Sequence, residues 1–491
     1  MADLLNNMIA FLSPKWAYER EMWSTLRQER RSYDGADNSR LNSRWNAFND
    51  SAERTDRYSR DMLRARARDL ERNSDFANSI LHAFKRNVVG KGYSLQARTG
   101  DEELNRKIED LWKQWTMKEN CDITGTQSFN QLLRMAVVRK KVDGGMLFRM
   151  VYTDGGLMPF KLQALEVDEL CTTCSVPQHK GNRVVGGVEY NSWNKPVGYW
   201  IEEYAIDGFQ TNTPVYVPAD QMIFYFQKHR PSQIREVSDM STTITRIRDA
   251  NEYMQAVSLK ERIAACLAVF IRKLTGNSGL VGMGRSGSAA DHEVKKSGYD
   301  GKMLTPGMIN VLNPGEDVQV VDPKGSGDDA NAYLRTQQRL MAAGNGLSYE
   351  TTSRDMSMVN YSSARQGNIE DELTFDEERE LLLENVLDVV YREFLRCAVL
   401  CGLLNVPDYF RSPTKYTRHD WTSSPKKWID PVKEANAQKV ALQYGVKTYK
   451  QISAEQGKDW QEQIDDMAEV KRYAAEHGVE LFDLIGGKTN A

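Results

Sequence analysis

Two cysteines separated by two residues are the first candidates for metal or redox chemistry in this chain. Cys171 and Cys174 form a CxxC pair, and His179 follows shortly after them. A structural zinc site takes four ligands, and the sequence contains no second CxxC. Cys397 and Cys401 have the i, i+4 spacing of a helix face, where small buried cysteines are common. We therefore interpret Cys171 and Cys174 as ordinary thiols, and we expect no bound metal and no cofactor.

A glycine-rich segment at 282–287, GMGRSG, has the GxGxxG spacing of dinucleotide-binding loops. Such a loop needs a buried strand before it and a packed helix after it, so that phosphates meet a helix N-terminus. Here the preceding residues are rich in glycine, and the following SAADHEVKKSG has no apolar period. We interpret the segment as a flexible loop. The sequence also contains no HExxH, GxSxG or GxxxxGK[ST] motif, which argues weakly against an enzyme.

Acidic residues crowd the early part of the longest predicted helix. One interpretation is favourable negative charge near a helix N-terminus, on a solvated face. The other is a negative wall that repels the backbone of DNA and so prevents it from sticking. The sequence supports the two interpretations equally. The acidic face that we assign to a channel consists of Glu370, Asp371 and Glu372, and the cluster continues with Asp376, Glu377, Glu378 and Glu380.

The elements that position these residues are a helix at 328–345, a polar loop at 346–361 and a long helix at 362–402. Apolar residues recur in the long helix at spacings of three, four and seven, which is a strong helical signal. Ser363 is the predicted N-cap and Gly402 the predicted end. Forty residues of helix span about 60 Å, which suggests a large assembly. The predicted stripe is Ile369, Leu373, Leu382, Leu383, Val386, Val390, Phe394 and Leu395.

The remainder is predicted to be α+β and mainly helical. Residues 57–230 alternate helices with hairpin-forming strands, and a helix follows from about residue 237. A basic run, Arg64, Arg66 and Arg68, is interpreted as a solvated face or subunit contact, with a nucleic-acid patch as the alternative. Apolar runs long enough for a membrane span are absent from the sequence. The net charge of −3 lacks the basic excess of a tight DNA binder, so any contact with DNA would guide it rather than grip it.

Several segments, taken in order, resemble tailed-phage portal proteins of the lambda type. The chain departs from that family at 235–238, where REVS stands in place of the usual RGxP. No single segment is specific, but their shared order is. The segments are RARARDLERNSDFANSILHAFKRNVVGKG, CDITGTQSFNQLLRMAVVRKKVDGGMLFR, LQALEVDEL, GGVEYNSWNKPVGYWI, VPADQMIFYFQKHRPSQIREVS, LTPGMINVLNPGEDV, NGLSYETTSRDMSMVNYSSAR and WIDPVKEANA.

The resemblance implies a ring, typically of twelve subunits, at one capsid vertex, through which double-stranded DNA is packaged and ejected. The implied partners are other copies of the chain, the terminase large subunit, the major capsid or scaffold protein and a head–tail adaptor. The implied location is the virion, after assembly in the bacterial cytoplasm. The implied parts are an arm (1–56), a wing (57–236), a first stem helix (237–267), a clip (268–327), a second stem helix (328–345), a tunnel loop (346–361), a long wing helix (362–402) and a helical crown (403–491).

In this interpretation the protein is not an enzyme, and the end of the tunnel loop lines the narrowest part of the bore. Arg354 is expected to contact phosphate, and three apolar side chains would form a smooth lip. Two alternatives stay open: a metal-dependent enzyme acting on nucleic acid through the CxxC pair and the acidic cluster, or a capsid scaffold or adaptor that forms no ring. The expected channel residues are Arg354, Asp355, Met356, Ser357, Met358, Val359, Asn360 and Tyr361.

Overall fold

The computed structural model describes residues 49–211, 213–265, 270–271, 310–311, 327–357, 360–423 and 430–478, with a few isolated positions up to residue 47. The chain divides into a unit of residues 1–55 and a unit of residues 56–491. A short helix, α1 (Ala52–Asp56), lies at the boundary, and all further elements belong to the second unit. The predicted GxGxxG loop and most of the predicted clip lie outside the described residues.

Helices predominate among the described elements, as the sequence predicts. The helices Arg60–Asn73 and Asp75–Phe84 are separated at Ser74, which caps the second one by accepting a hydrogen bond from the Ala77 amide. A π-helical turn at Lys85–Val89 extends that helix. The helices between residues 60 and 143 are α2 (Arg60–Asn73), α3 (Asp75–Phe84), α4 (Glu102–Trp115), α5 (Lys118–Cys121) and α6 (Phe129–Asp143).

The strands form small sheets rather than one large one. Strand β2 (Gly145–Tyr152) lies between β3 (Phe160–Leu165) and β8 (Met222–Phe226), antiparallel to both. A meander of four strands consists of β4 (Arg183–Val185), β5 (Val188–Tyr190), β6 (Pro196–Ile201) and β7 (Val215–Pro218). Two further pairs are β1 (Ser94–Ala97) with β11 (His419–Thr422), antiparallel, and β9 (Phe270–Ile271) with β10 (Asn310–Val311), parallel.

The later helices include the two that flank the polar loop. The helix predicted from residue 237 begins at Ile244 instead, because residues 238–243 form turns: the amide of Ser241 donates to Ser238 and that of Thr243 to Met240. None of the described helices is long and apolar enough to cross a bilayer. These helices are α7 (Ile244–Ala265), α8 (Gly327–Gly344), α9 (Tyr349–Ser353), α10 (Tyr361–Leu382), α11 (Asp388–Leu400), α12 (Pro413–Tyr416), α13 (Pro431–Gln443), α14 (Tyr449–Glu455) and α15 (Trp460–Glu476).

The predicted long helix is present, with corrections to its continuity, its N-cap and its apolar stripe. A π-helical turn at Leu383–Leu387 joins α10 to α11. The N-cap is Asn360 rather than Ser363, which sits one turn later and completes the capping box. Gly402, at φ +73°, follows the last turn as predicted. The stripe is wrong in its first part, because Ile369 and Leu373 are 49% and 63% exposed.

A cluster of aromatic rings holds the second half of this rod against the α+β region. The indole of Trp115 stacks on Phe160 at 5.3 Å between ring centroids, and its Nε1 donates to the Phe160 carbonyl at 3.0 Å. Trp112 meets Phe394 edge to face at 5.1 Å. Large aromatic side chains bury much apolar area and gain further from such geometry. These contacts therefore anchor α11 to α4 and β3.

The basic run is not a solvated face. Arg64 is buried and pairs with Glu236 at 3.0 Å and with Asp168 at 3.0 Å. Arg68 pairs with Asp143 at 2.7 Å. Only Arg66 of the three is exposed. The first and last of the three arginines thus tie α2 to the end of α6 and to the segment before α7.

The departure from the family pattern at 235–238 lies in this same network. Arg235 is fully buried, and its guanidinium contacts Glu236 at 2.7 Å and the carbonyls of Gly186 and Val167 at 2.5 and 3.1 Å. A buried charge is tolerated only when it is paired and hydrogen-bonded. The arginine therefore serves to join the two sheet regions.

A second buried charge cluster joins α6, α10 and the turn before α7. The ammonium of Lys140 is completely buried and contacts Glu378 at 2.8 Å and Asp239 at 3.1 Å. Lys141 contacts the same two carboxylates at 2.5 and 3.0 Å and lies 4.0 Å from the centre of the Phe84 ring. Two positive and two negative charges thus balance within one buried site.

Replacing one of these lysines should unbalance the cluster. We expect Lys140→Met to lower the free energy of unfolding by about 3–5 kcal/mol, because two carboxylates are then left with only Lys141 to balance them. Lys140→Met combined with Glu378→Gln leaves Lys141 paired with Asp239 and should cost less than the two single changes added together. Urea unfolding of the four proteins measures the coupling. The exposed Lys113→Met is the control, with a change of about 0–1 kcal/mol; additive single changes would contradict the shared cluster.

The same cluster makes stability depend on pH on the acid side. Burial opposes ionisation of Asp239, but Lys141 and Lys140 outweigh it and hold the pKa of this carboxyl below its ordinary value. The native state therefore binds fewer protons than the unfolded chain, and the stabilisation is lost as the pH falls through the lowered pKa. Asp239→Asn should make the acid side of the stability profile shallower by at most about 1.4 kcal/mol per pH unit. Asn at the exposed Asp110 should leave that slope unchanged, and an unchanged slope in Asp239→Asn would refute the assignment.

Candidate channel loop

The polar segment between α8 and α10 contains more regular structure than the sequence predicts. Residues 349–353 form helix α9, and Ser348 caps it by accepting a hydrogen bond from the amide of Thr351. The helix ends at Arg354, whose backbone is left-handed with φ +58° and whose amide donates to the Glu350 carbonyl at 2.8 Å. The connection is therefore a short helix followed by a tip, not an irregular loop throughout.

The start of the segment is fixed against α10. Gly346 has φ +70°, a conformation that favours glycine. The hydroxyl of Thr374 donates to the Gly346 carbonyl at 2.7 Å, and a Cβ on Gly346 would come within 3.1 Å of the Thr374 side chain. The amide of Leu347 donates back to Ala342 at 2.9 Å. Both ends of this turn are thus held.

Asp371 holds α9 to the long helix. Its carboxylate accepts hydrogen bonds from the Ser348 amide at 2.6 Å, from the Ser348 hydroxyl at 2.7 Å and from the hydroxyl of Thr351. The side chain is buried. The assignment of Asp371 to an exposed acidic face is therefore wrong, because every lone pair direction that it uses points into the protein.

The other two residues of the predicted acidic face lie in different environments. Glu370 is exposed and accepts a hydrogen bond from Gln366 at 2.9 Å. Glu372 is half-buried and pairs with Arg379 at 3.1 Å. Further along α10, the carboxylate of Glu378 pairs with the buried lysines Lys140 and Lys141. The acidic cluster of the sequence is thus split between structural and exposed roles.

The tip of the segment is ordered by Asp355. Its carboxylate accepts from the Ser357 hydroxyl at 2.6 Å and amide at 3.0 Å, and from the Tyr349 hydroxyl at 3.2 Å. The Ser357 hydrogen bonds, with smaller contributions from Tyr349 and Arg335, lower the pKa of Asp355. Arg354 and Met356 are exposed at this tip, Met356 to 60%. Asn360, also exposed, is the N-cap of α10.

Three of the expected channel residues lie wholly or partly outside the described residues. Met358 and Val359 lie outside the described residues, as does the side chain of Tyr361. The apolar lip predicted for the tip is therefore represented in the described part by Met356.

Basic side chains surround the tip. Arg335, one turn before Arg339 on α8, lies 3.7 Å from the Asp355 carboxylate. The guanidinium of Arg339 lies 5.6 Å from the centre of the Tyr349 ring. Burial lowers the pKa of Arg86, and the nearby positive charge of Arg354 lowers it further. The described tip thus exposes the guanidinium of Arg354 and the thioether of Met356, while Arg335 and Arg339 contact neighbouring side chains.

The CxxC pair of the sequence is oxidised in the structure. Cys171 and Cys174 are joined by a disulfide bond, so their interpretation as ordinary thiols is wrong in this structure. Cys397 is buried as predicted, whereas Cys401 is exposed. The Cys171–Cys174 disulfide lies in the segment before β4 and is not part of the 346–361 loop.

The chain matches a known family and several proteins in it. The family described as "Phage portal protein, lambda family" matches residues 38–379. The chain is 26% identical over 459 residues to a probable portal protein of Halomonas phage phiHAP-1, covering 90% of this chain and 87% of the relative. It is 21% identical to portal protein B of Escherichia phage lambda, covering 81% of each. It is 22% identical to the portal protein of Escherichia phage N15, covering 85% of each.

Among solved structures, the chain is similar to a chain from the neck of a native GTA particle. The TM-score is 0.39 at 14% identity, with 78% of this chain and 90% of that chain covered. A chain from the virion of a native gene transfer agent particle gives a TM-score of 0.37 at 13% identity, with 77% and 89% covered.

Removing the acceptor that holds α9 should loosen the loop without unfolding the protein. In Asp371→Asn the side chain keeps one oxygen acceptor for the Ser348 amide, and an NH₂ group replaces the oxygen that accepts from the Ser348 and Thr351 hydroxyls. We expect hydrogen exchange at residues 347–355 to become about ten times faster, which corresponds to about 1.4 kcal/mol of lost local stability. Glu370→Gln, one residue away on the exposed face, is the matched control and should exchange like the original. Equal protection of the loop in both variants would contradict the role of Asp371.

Proposed function

Because this chain belongs to the lambda family of phage portal proteins, we propose that its copies assemble into a ring, with twelve as the expected number, at one capsid vertex. Double-stranded DNA enters and leaves through the axis of this ring. The family match over residues 38–379 carries the proposal. Members of this family have a structural role, and the chain is accordingly proposed to be a conduit rather than an enzyme.

The tip at 354–361 is proposed to line the narrowest part of the bore. In a closed ring, each copy presents the same segment at the same distance from the axis. The root of the segment is held by Asp371 and Thr374, whereas Arg354 and Met356 project from its end. A rigid root with an exposed end fits a part that must meet a moving polymer repeatedly without being displaced.

The charges near the tip fit sliding better than tight binding. Each contact between a basic side chain and a phosphate adds to affinity, so a ring rich in such contacts would hold DNA. Here Arg335 is paired with Asp355, and the exposed Glu370 adds negative charge on α10. Arg354 is the residue proposed to touch phosphate. The net charge of −3 is consistent with a channel that guides DNA.

The remaining parts are proposed from the family arrangement. Residues 57–236 with 362–402 form the wing, α7 and α8 form the stem, 268–327 the clip and 403–491 the crown. The clip is proposed to meet the terminase large subunit and later the head–tail adaptor, and the wing to meet the capsid or scaffold protein. The packaging ATPase is then a separate protein, since the sequence has no Walker motif. Assembly takes place in the bacterial cytoplasm.

The rival functions gain little from the geometry. A metal-dependent enzyme acting on nucleic acid would use the CxxC pair together with the acidic cluster, yet the two cysteines form a disulfide, and Asp371 and Glu378 are buried and already hydrogen-bonded. An adaptor or scaffold that forms no ring is separated from a portal by electron microscopy of the purified protein, which should show annular particles with a central hole.

Reversing the charge of Arg354 should impair DNA packaging while leaving the ring intact. Arg354→Glu places a carboxylate where a phosphate is proposed to pass, so we expect repulsion between like charges to leave about tenfold fewer DNA-filled particles. Particles are counted by electron microscopy, and the purified variant is imaged for rings.

The matched control is Arg72→Glu, the same charge change at an exposed position of α2. It should form rings and fill particles normally. Normal filling by Arg354→Glu would refute the proposed role of the tip, whereas a purified protein without rings would refute the portal arrangement itself.

A further inference from the structure

A carboxylate lies beside the two cysteines of the CxxC pair. The sulfur atoms of Cys171 and Cys174 and a carboxylate oxygen of Glu202 all lie within 4.8 Å of one another. Cys171 is buried, while Cys174 and Glu202 are half-buried. The three donor atoms therefore form a cluster that is closed on one side by the protein and open to water on the other.

The backbone that carries this cluster is held by the four-stranded sheet. The Cys171 amide donates to the carbonyl of Trp200 in β6 at 2.9 Å, and Leu170 bridges Ile201 in antiparallel fashion. Gly187 has φ +82°, and a Cβ there would lie 3.0 Å from the Cys171 carbonyl oxygen. Glu202 follows β6 directly. Sites built on rigid strands hold their donor atoms in a fixed geometry.

Two groups are placed to stabilise negative charge on the buried sulfur. The Cys174 amide donates to the Cys171 sulfur at 3.2 Å, and the hydroxyl of Thr173 lies 3.3 Å from it. Hydrogen bonds to a sulfur favour its thiolate form, which is the form that binds metals. Among the described residues, the carboxylate of Glu202 makes neither a hydrogen bond nor an ion pair. A carboxylate that has no described partner and lies this close to two sulfur atoms is available to bind a metal ion.

We propose that the reduced Cys171–Cys174 pair and Glu202 bind one thiophilic divalent cation, with Zn²⁺ as the best fit. Two thiolates and a carboxylate are ligand types that zinc accepts, at about 2.3 Å for sulfur and about 2.0–2.2 Å for oxygen. The open side leaves the fourth tetrahedral position to water. Thiolates do not suit Mg²⁺ or Ca²⁺, which take oxygen ligands.

Binding requires the disulfide to be opened first. Two molecules of a thiol reductant supply two electrons and two protons, giving two cysteine thiols and the disulfide of the reductant. The incoming cation then displaces two thiol protons to the solvent as the sulfur–metal bonds form. The same pair thus has two closed states, one held by the sulfur–sulfur bond and one held by the metal.

Cobalt titration of the purified protein tests the site, because Co²⁺ bound to thiolates absorbs light in a way that aqueous Co²⁺ does not. The reduced, chelator-treated protein should bind about one Co²⁺ per chain with a thiolate-to-metal absorption band, and Zn²⁺ should displace it. The same preparation with the disulfide intact should show no band. Absence of the band in reduced protein, or an equal band in oxidised protein, would overturn the site.

Variants identify the ligands. Cys174→Ser should remove the band, whereas Cys401→Ser, at an exposed cysteine elsewhere, should retain it. Glu202→Gln leaves both cysteines in place and guards against misfolding of the cysteine variant; it should weaken binding at least about tenfold. A band that survives Cys174→Ser, or unchanged affinity in Glu202→Gln, would overturn the assignment of these three ligands.

Discussion

Two lysines buried at the end of α6 connect three parts of the second unit through one cluster of charges. Lys140 and Lys141 reach Glu378 on α10 and Asp239 before α7. Isolated charges in an apolar interior are very costly, so the four side chains are tolerable only together. Helix α10 carries the loop, and α7 is proposed as a stem helix. The charge cluster therefore fixes the two elements of the proposed channel to the same point of the α+β region.

Buried arginines near this cluster are paired with carboxylates in the same way. Arg64 and Arg235 share the buried Glu236, and Arg68 reaches Asp143, three residues after Lys140. Buried ion pairs add little net stability compared with apolar packing, but they demand a particular geometry. The proposed ring needs subunits of identical shape. A contact that permits only one geometry between the α+β region and the long helix would serve that need. This is our interpretation of why so many charges lie inside this region.

The sequence predicts most helices correctly, because apolar periodicity and capping residues are local signals. It fails where polar residues face the core. Asp371 and Glu378 occupy inward positions of α10, and the stripe drawn through Ile369 and Leu373 consequently runs along the wrong face. Hydrophobicity alone cannot distinguish a paired buried carboxylate from a solvated one.

Within the 346–361 loop, the sequence likewise predicts local structure but not contacts between distant residues. Ser348 and Asp355 are ordinary cap and turn residues, so the short helix and the ordered tip could have been predicted from local chemistry. The contact between Ser348 and Asp371 spans 23 residues and has no local signal. The disulfide was likewise missed, because two cysteines at this spacing in a long chain carry no indication of their oxidation state.

The π-helical turn at 383–387 determines how the rod can change in evolution. Buried positions recur through it at a uniform interval of four residues, at 378, 382, 386, 390, 394 and 398. A helix of 3.6 residues per turn would drift about 40° at each such interval, and the wider turn absorbs part of that drift. Loss of one residue here would shift the rotational phase of everything beyond it by about 100°. The number of residues between α10 and α11 is therefore constrained. An insertion or deletion should be tolerated only where another π-helical turn can compensate for the change in rotation.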